Sequence, residues 1–285
     1  MLAIVTVTDE KFYLGTQVMF YSFLKHNSNF EGDLVVIHHQ LPQSIQDKLS
    51  KNFTIKFIQV SEKLRLKLED LTAQRSNLKN KLNRFYSLEI FRFYEYSKVL
   101  FLDSDTLIRK SLDELLKIDA PFSAVADLGH YNGWQRNKVT FSFVLKEKDE
   151  AEVFTNTFNS GVMLLQIDKF PENTYLELLK LLNFNNFKKI NSGHTDQYVL
   201  NQHFVDKINW LNVGWNYILR AESQIKKATG VESSEAAILH YIRFPKPWQF
   251  TKRIKETLKM KKGKQLFLEW DFAFFESKIK LLRFK

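Results

Sequence analysis

Short apolar runs alternate with longer amphipathic stretches through the first two-thirds of the chain. The runs at 2–7, 34–37, 55–60 and 99–102 have the length and composition of buried strands. Between them, residues 13–26 carry apolar side chains every three or four positions, which predicts a helix, and helices are also predicted at 42–49 and 82–96. This βαβα order predicts an α/β fold with a mostly parallel central sheet and helices on both faces.

Shorter elements are predicted farther along the chain. Strands are expected at 122–126, 161–167, 208–211 and 236–241, and a helix at 196–204. Ser111 and Glu114 form a capping-box pattern at the start of a short helix, and Asp168 is the predicted N-cap of a later one. Residues 129–152 are polar and weakly periodic, which is typical of a loop-rich lid.

Two carboxylates one residue apart, Asp103 and Asp105, follow the predicted strand at 99–102. Ligands of parallel α/β sheets bind beyond the carboxyl ends of the strands. Residues i and i+2 of an extended chain point to the same side, so both carboxylates can hold one divalent cation that also binds phosphate oxygens. A simple turn, in which Asp and Ser are common, is the competing interpretation.

Two other polar segments have a structural and a chemical interpretation. Asn159 and Gly161 precede a strand, either because glycine is needed for a strained backbone or because the amide binds sugar hydroxyls. Asp196 and Gln197 either cap a helix or project into a cleft toward a polar substrate.

The segment from His240 to Lys246 carries two more candidates. His240 is either structural or a third metal ligand, and a set of carboxylates and imidazole suits Mn²⁺, with Mg²⁺ a poorer match. Lys246 stands between two prolines, which hold its positive charge on a stiff backbone suited to a phosphate. Thr8 and Asp9 follow the first strand at the same sheet edge as Asp103, so they are predicted to contact a nucleotide.

In order and spacing these motifs resemble glycosyltransferase family 8, which includes glycogenin and bacterial lipooligosaccharide galactosyl- and glucosyltransferases. The resemblance covers about residues 1–250. The motifs are VLFLDSDTL at 99–107, FNSGV at 158–162, Asp196-Gln197, and His240 followed by Lys246-Pro247-Trp248.

The resemblance implies a GT-A type nucleotide-diphospho-sugar transferase fold and a retaining hexosyltransferase. The expected reaction moves glucose or galactose from a UDP-sugar to a glycan or glycolipid acceptor with Mn²⁺, in surface polysaccharide or lipopolysaccharide synthesis. The alternative is a catalytically silent UDP-sugar-binding protein of the same fold. The resemblance assigns the metal to Asp103, Asp105 and His240, catalysis to Asp196, Gln197 and Lys246, and substrate binding to Thr8, Asp9, Phe12 and Asn159. We expect Ser104, Arg84 and Arg243 to bind substrate as well.

Two positions depart from the family pattern. Glycogenin has a lysine where this chain has Ser87, and Arg84, or less favourably Lys81, is the expected replacement for that charge. Arg243 stands where the family often has a glycine that lets the backbone approach phosphate. Both departures concern the identity of the donor sugar more than the type of reaction.

The composition narrows the classes of protein to which the chain can belong. The 285 residues are 44% apolar, enough for a sizeable core, and the absence of cysteine excludes disulfides and thiolate catalysis. No Gly-rich loop of the P-loop or dinucleotide-binding kind occurs. Without a membrane-length apolar run or a signal-peptide pattern, the expected location is the cytoplasm.

The net charge of +10 is concentrated near the C-terminus, where residues 251–285 hold eleven Lys or Arg and four acids, and so +7 of it. We therefore expect a catalytic domain at 1–250 and a basic aromatic tail at 251–285. Such a tail is suited to the anionic surface of the inner membrane face. A helix docked on the body is the competing interpretation, and nucleic-acid binding is disfavoured because the body is nearly charge-balanced.

Overall fold

The structure is a computed structural model that describes residues 1–127, 134–136, 143–145, 157–188, 195–204, 207–242, 245–259 and 263–279. For 134–136, 143–145, 255–259 and 263–266 it describes the backbone alone. The strands are β1 (Leu2–Val7), β2 (Gly32–His38), β3 (Ile55–Gln59), β4 (Lys98–Leu102), β5 (Thr106–Ile108), β6 (Phe122–Ala126), β7 (Trp134–Arg136), β8 (Phe143–Leu145), β9 (Phe158–Gln166), β10 (Asn209–Trp210), β11 (Tyr217–Ile218) and β12 (Ile238–His240).

Helices lie between and after these strands. They are α1 (Tyr13–His26), α2 (Gln43–Ser50), α3 (Glu62–Gln74), α4 (Asp113–Leu116), α5 (Thr174–Leu181), α6 (Phe184–Phe187), α7 (Asp196–Phe204), α8 (Glu222–Thr229), α9 (Phe250–Lys259) and α10 (Gly263–Ile279). The 3₁₀ segments include Ser76–Arg92, Ile167–Lys169, Val213–Trp215 and Leu219–Ala221.

A seven-stranded sheet with the order β10-β6-β9-β4-β1-β2-β3 forms the centre of the molecule. The strands β3, β2, β1 and β4 run parallel, whereas β9 runs antiparallel to both of its neighbours, β4 and β6. The predicted α/β fold with a mostly parallel sheet is confirmed. Because β1 and β4 are parallel neighbours, the loop after β1 and the turn after β4 meet at one edge of the sheet.

Side chains of the central strands alternate between two apolar layers. On β1, Ala3 and Val5 pack into one layer while Ile4 packs into the other, and on β4 Phe101 and Leu100 divide in the same way. Both faces of the sheet are therefore covered, which explains why these strands are continuous apolar runs in the sequence.

A second, three-stranded sheet has the order β11-β12-β5. It places β12, from the C-terminal part of the chain, next to β5, which directly follows the turn after β4. The strand β12 runs antiparallel to β5, with His240 opposite Thr106. An apolar cluster at this sheet includes Leu239 together with Trp270 and Phe274 of α10. The helix α10 is therefore docked on the body by one of its faces.

The predicted helix at 82–96 is instead a continuous 3₁₀ segment, Ser76–Arg92. Its apolar side chains Leu82, Phe85, Leu88 and Phe91 recur every three residues, which is the period of a 3₁₀ helix and not of an α-helix. A helical segment was predicted correctly here, but the type of helix and its bounds were wrong.

One helix was missed, and two smaller predictions need correction. The helix α3 is absent from the prediction, although the Ser61 hydroxyl caps it by accepting a hydrogen bond from the Leu64 N–H. Asp168 caps no helix, since it lies inside the 3₁₀ turn Ile167–Lys169 and α5 begins later. The Ser111 hydroxyl accepts a bond from the N–H of Asp113, two residues on, which makes a local turn instead of a capping box.

The predicted lid at 129–152 lies outside the described residues, apart from the backbones of β7 and β8, which pair antiparallel. Across the ranges described above, no helix combines the length and apolar character that crossing a bilayer requires.

Candidate active site

The turn after β4 is tied to the rest of the sheet by its backbone. The Asp103 N–H donates to the Gly161 carbonyl at 2.8 Å, and the Asp103 carbonyl accepts from both the N–H and the hydroxyl of Thr106. The Asp105 carbonyl accepts from the N–H of Tyr241 at 2.9 Å. These bonds fix the positions of both aspartates between β9 and β12.

Ser104, between the two aspartates, faces the opposite way. Its hydroxyl donates to the Val7 carbonyl at 2.7 Å and lies 3.1 Å from the Thr6 hydroxyl and 2.9 Å from that of Thr16. The Thr16 hydroxyl in turn donates to that of Thr8 at 2.8 Å. In the structure Ser104 and Thr8 therefore anchor the acidic turn to β1 and α1, and their predicted contacts with substrate stay a prediction.

His240, the last residue of β12, meets the acidic pair. Its Nε2 lies 3.2 Å from Asp105 Oδ1 and 3.6 Å from Asp103 Oδ2. One ligand atom from each of the three residues lies within 4.8 Å of the others. Two carboxylates and one imidazole form a donor set that fits a divalent cation of the Mn²⁺ type. The predicted convergence of these three side chains is present.

The two aspartates are electrostatically unequal. Desolvation and the neighbouring charge of Asp105 raise the pKa of Asp103. Burial acts to raise the pKa of Asp105 as well, but the ammonium of Lys246 and the imidazole of His240 outweigh it and hold that pKa below its usual range. Asp105 is therefore the firmly ionised member, and the pair carries negative charge that a cation would neutralise.

Lys246 lies beside the acidic pair, as its predicted role requires. Its Nζ forms an ion pair with Asp105 Oδ2, donates to the Tyr241 carbonyl at 3.0 Å, and lies 5.8 Å from the centre of the Phe12 ring. Phe12 also packs edge-on against Trp248, whose ring centre is 5.4 Å away. The segment after β12 is thus closed over the loop after β1.

Asp9 organises that loop. Its Oδ1 accepts from the backbone N–H groups of Lys11 and Phe12 at 2.8 and 3.0 Å, and its Oδ2 accepts from Asn83 at 3.0 Å. Asp9 therefore lies at the predicted sheet edge, and its carboxylate connects the start of α1 to the 3₁₀ segment Ser76–Arg92.

Gly161 makes room for the cluster. A Cβ at this position would lie 2.2 Å from His240 Cε1 and 2.9 Å from Asp103 Oδ2. The sequence suggested a strained backbone as one reason for this glycine, but among the described glycines a positive φ occurs at Gly230 and not here. Close approach of side chains, and not backbone conformation, requires the glycine.

Asn159 joins several polar groups in the interior of the site. Its Oδ1 accepts from the Gly161 N–H at 3.0 Å and from Asn216 Nδ2 at 2.9 Å, while its Nδ2 lies 3.3 Å from both Asp127 Oδ1 and Gln197 Oε1. Among the described residues, Gln197 Nε2 is buried and has no hydrogen-bond partner. That N–H group is a donor available to a bound molecule.

Asp196 begins α7 and is held by two hydroxyls. Its Oδ2 accepts from Ser87 and its Oδ1 from Thr195, each at 2.9 Å. Desolvation raises the pKa of Asp196 despite these hydrogen bonds. The family resemblance leads one to expect a lysine at position 87. Here Ser87 occupies that position and donates a hydrogen bond directly to the carboxylate of Asp196.

The charge expected from Arg84 is not brought into the interior, because the Arg84 side chain is exposed. Lys81 is half-buried one turn earlier, and desolvation together with the charge of Arg84 lowers its pKa. Arg243 lies outside the described residues. The roles predicted for Arg84 and Arg243 stay predictions.

Two residues of the site were not predicted. Asp127 directly follows β6 and bonds Asn159, so the argument used for Asp103, an acid at the end of a buried strand, applies to it equally. Asn216 is fully buried and connects Asn159 to His240. It lies in an irregular segment between a 3₁₀ turn and a two-residue strand, and no sequence pattern marks it.

Known proteins resemble this chain in sequence. The family described as Glycosyl transferase family 8 matches residues 3–252. Lipopolysaccharide glucosyltransferase WaaO of Escherichia coli (strain K12) is 25% identical over 252 residues, which cover 85% of this chain and 70% of WaaO. Glycogenin of Neurospora crassa is 24% identical over 164 residues, 58% of this chain but 19% of that protein.

Solved structures resemble it in fold. The galactosyltransferase LgtC, in complex with donor and acceptor sugar analogues, has a TM-score of 0.67 at 18% identity, and the match covers 94% of each chain. The glycosyltransferase GlyE of Streptococcus pneumoniae TIGR4 has a TM-score of 0.62 at 19% identity, covering 97% of this chain and 63% of GlyE. These likenesses confirm the predicted GT-A type fold.

Proposed function

The chain belongs to glycosyl transferase family 8 and is a glycosyltransferase, and from this premise we propose that it is a retaining hexosyltransferase that uses a UDP-sugar. The proposed reaction moves glucose or galactose to a saccharide or glycolipid acceptor. The relation to a lipopolysaccharide glucosyltransferase supports a role in building surface polysaccharide or lipopolysaccharide.

The observation that carries this proposal is the meeting of Asp103, Asp105 and His240 within 4.8 Å, with Lys246 paired to the same Asp105. Those three residues would hold Mn²⁺, with Mg²⁺ as the alternative. The bound cation would supply charge neutralisation for a diphosphate leaving group. Lys246 lies in the segment after β12, beside this cluster, where its ammonium can bind the same phosphates.

The interior of the site supports a role for three side chains at the donor sugar. Gln197 Nε2 is buried with no partner among the described residues, so it can donate to a sugar oxygen without first breaking another bond. Asn159 fixes the neighbouring oxygen of that amide. Both oxygens of Asp196 accept hydrogen bonds from hydroxyls, which favours holding the sugar over nucleophilic attack. We therefore favour attack of the acceptor from the face that UDP leaves.

The loop after β1 is the proposed uridine site. Asp9 and Phe12 lie at the carboxyl edge of β1, adjacent to the acidic turn after the parallel strand β4. Phe12 offers an apolar surface next to Lys246, suited to the flat face of a base.

We propose further that residues 251–285 attach the catalytic domain, residues 1–250, to an anionic membrane surface at the inner face. The helix α10 has two apolar faces. Trp270 and Phe274 are buried against the body, whereas Leu268, Phe272, Phe275 and Ile279, spaced four, three and four residues apart, are 48%, 68%, 60% and 75% exposed. We call these four residues the outer stripe.

Charge favours a lipid surface as the occupant of the outer stripe. Three of the four acids between 251 and 285 are already paired, Glu269 with Arg109, Asp271 with Arg253 and Glu276 with Lys25. The segment carries seven more positive than negative charges, which favours an anionic partner. Trp270 and Phe274, which belong to the same aromatic tail in the sequence, lie in the core and not in the outer stripe.

The proposed reaction is tested by incubating the purified protein with a panel of UDP-sugars and Mn²⁺ and measuring UDP release. We expect release with UDP-glucose or UDP-galactose, and loss of about 10²–10³ in rate in the double variant Asp103→Ala/Asp105→Ala. The control variant is Asp113→Ala/Glu114→Ala, two exposed acids of α4. Full activity in the Asp103/Asp105 variant would exclude the metal assignment. If the wild type binds UDP-sugar without turnover, the alternative, a catalytically silent UDP-sugar-binding protein, is supported instead.

A further inference from the structure

A single backbone N–H group fixes the orientation of several side chains in this site. The Gly161 N–H can only donate, and it lies 3.0 Å from Asn159 Oδ1, so the acceptor there must be the amide oxygen. Asn216 approaches the same oxygen at 2.9 Å and must therefore present its NH₂ group. The other end of the Asn216 amide, 2.8 Å from His240 Nδ1, is then the oxygen.

An oxygen at that place determines the tautomer of His240. A neutral imidazole carries one proton, and an amide oxygen only accepts. Nδ1 therefore carries a proton, and Nε2 is the nitrogen that can offer a lone pair to a cation held beside Asp103 and Asp105. Metal-binding imidazoles almost always have this arrangement, in which the second nitrogen donates to a fixed acceptor.

The same orientation extends to Gln197. With its oxygen used by Gly161 and Asn216, Asn159 directs its NH₂ group toward Gln197 Oε1 and Asp127 Oδ1, both at 3.3 Å. Gln197 therefore accepts through its oxygen and keeps its NH₂ group for another partner. Asn216 thus lies between the imidazole at the cation cluster and the amide at the proposed sugar site.

We propose that Asn216 is a positioning residue that sets the His240 tautomer for cation binding and, through Asn159, the orientation of Gln197. That Asn216 keeps a proton on His240 Nδ1 does not rest on the proposed function, whereas its roles in cation binding and at Gln197 do. Asn216 is 0% exposed, so it does not contact a substrate itself and acts through His240 and Asn159. The amide of Asn216 accepts from His240 with its oxygen and donates to Asn159 with its NH₂ group, so it makes both bonds at one position.

Two near-isosteric variants separate the two bonds. Asn216→Asp keeps an acceptor for His240 but replaces the donor to Asn159 with a carboxylate that repels its oxygen. Asn216→Leu removes both bonds while preserving volume. The matched control is Asn212→Leu. The wild-type Asn212 side chain caps the neighbouring 3₁₀ turn by accepting from the Gly214 N–H and is not bonded to this network.

The first measurement is the ¹⁵N NMR spectrum of histidine-labelled protein without metal, recorded at a pH above which the ring signals no longer change. The His240 signals are assigned by their absence in His240→Gln. We expect the Nδ1–H tautomer in the wild type, the Asn216→Asp variant and the Asn212→Leu control, and a mixture in Asn216→Leu. A wild-type His240 protonated on Nε2 overturns the proposal, whether or not any variant folds.

The second measurement is Mn²⁺ affinity by electron paramagnetic resonance, followed by UDP-sugar kinetics. Asn216→Leu should bind Mn²⁺ about 10- to 100-fold more weakly, as expected for loss of an outer hydrogen bond to a metal-binding histidine. Asn216→Asp should retain the affinity but show a lower kcat with its donor sugar. Wild-type affinity in Asn216→Leu contradicts the proposal, whereas a wild type that binds no Mn²⁺ but has the Nδ1–H tautomer contradicts only the proposed function.

Discussion

Gly161 and His240 are in direct contact, with no space for a side chain between them: a Cβ on Gly161 would lie 2.2 Å from His240 Cε1. The glycine on β9 therefore sets how closely β12 can approach the acidic turn. Its substitution probes the cation cluster without removing any of the residues assigned to it.

Gly161→Ala should displace the imidazole of His240 and the carboxylate of Asp103. We expect a loss of about 1–3 kcal/mol in unfolding free energy from overpacking, and at least a tenfold weaker Mn²⁺ affinity. Urea unfolding and electron paramagnetic resonance measure the two effects. Gly230→Ala is the control: its φ of 76° costs roughly 1–2 kcal/mol with alanine, but no atom lies within 4 Å of the new Cβ, so Mn²⁺ affinity should not change.

Lys246→Met should separate metal binding from nucleotide binding. The ammonium is paired with Asp105, where it competes with a cation for the same carboxylate, and it is proposed to bind the diphosphate. Mn²⁺ affinity without nucleotide should therefore rise, while UDP affinity, measured by calorimetry, and kcat fall, the latter about 10²–10³-fold. Lys63→Met, on the exposed face of α3, should change neither. Weaker Mn²⁺ binding in Lys246→Met would contradict the competition.

Glu89→Ala should be strongly destabilising although it lies away from the cation cluster. Glu89 is fully buried, accepts from the hydroxyls of Ser61 and Tyr175 at 2.7 Å each, and forms an ion pair with Arg92. Removing the carboxylate takes the acceptor from two hydroxyls and from Arg92, whose side chain is 41% exposed and can bind water, at a cost of about 1–3 kcal/mol. The surface acid Glu177, paired with Lys180, is the matched control, and Glu177→Ala should hardly change the urea midpoint.

His38 should make the protein less stable in mild acid. Burial, and then the charge of His39, lower the pKa of His38 from 6.5, and its Nδ1 accepts from the Leu41 N–H and so must be unprotonated. As pH falls below 6.5 the unfolded chain binds a proton that the folded protein excludes, so stability is lost by up to about 1.4 kcal/mol per pH unit until the folded pKa is reached.

The comparison of wild type with His38→Gln isolates this effect, because His26 and His203, whose pKa values are also lowered, are present in both proteins. The wild type should exceed the variant in unfolding free energy at pH 8, and the difference should shrink at pH 5.5. A constant difference across this pH interval would show that His38 does not titrate on unfolding.

The outer stripe should be needed for binding to anionic vesicles. Phe272→Gln/Phe275→Gln should reduce co-flotation with phosphatidylglycerol vesicles by about tenfold or more, given the apolar area removed, and the wild type should bind neutral phosphatidylcholine vesicles poorly. Leu66→Gln, at a residue of α3 that is 51% exposed, is the control. Equal binding to both vesicle types, or a concentration-dependent dimer that the double variant loses, would contradict membrane attachment.

Much of the fold follows from local patterns in the sequence. The bounds of α1 and α7 were predicted because each has a continuous helical stretch between clear breaks. The three-residue period of Ser76–Arg92 was present but was taken for an α-helix, and the apolar spacing of α3 at Leu64, Leu68 and Leu71 was overlooked. Those errors concern signals that the sequence contains.

The residues of the site fall into two groups, those that were predicted from the sequence and those that were not. Asp103, Asp105, His240 and Lys246 were predicted because their residue types and order limit their chemistry. Asn216 was not, since its partners Asn159 and His240 come from other strands, 57 and 24 residues away in the chain. A side chain whose importance lies in orienting its neighbours leaves no local pattern, and only the assembled structure reveals it.

The strand β12 belongs to a different sheet from β4 and reaches the acidic turn by pairing with β5. During synthesis the ribosome delivers both aspartates long before the imidazole that completes the cluster, and the chain between them must fold first. A truncated or stalled nascent chain that ends before β12 therefore carries both aspartates without the imidazole, and the three-residue cluster cannot form in it.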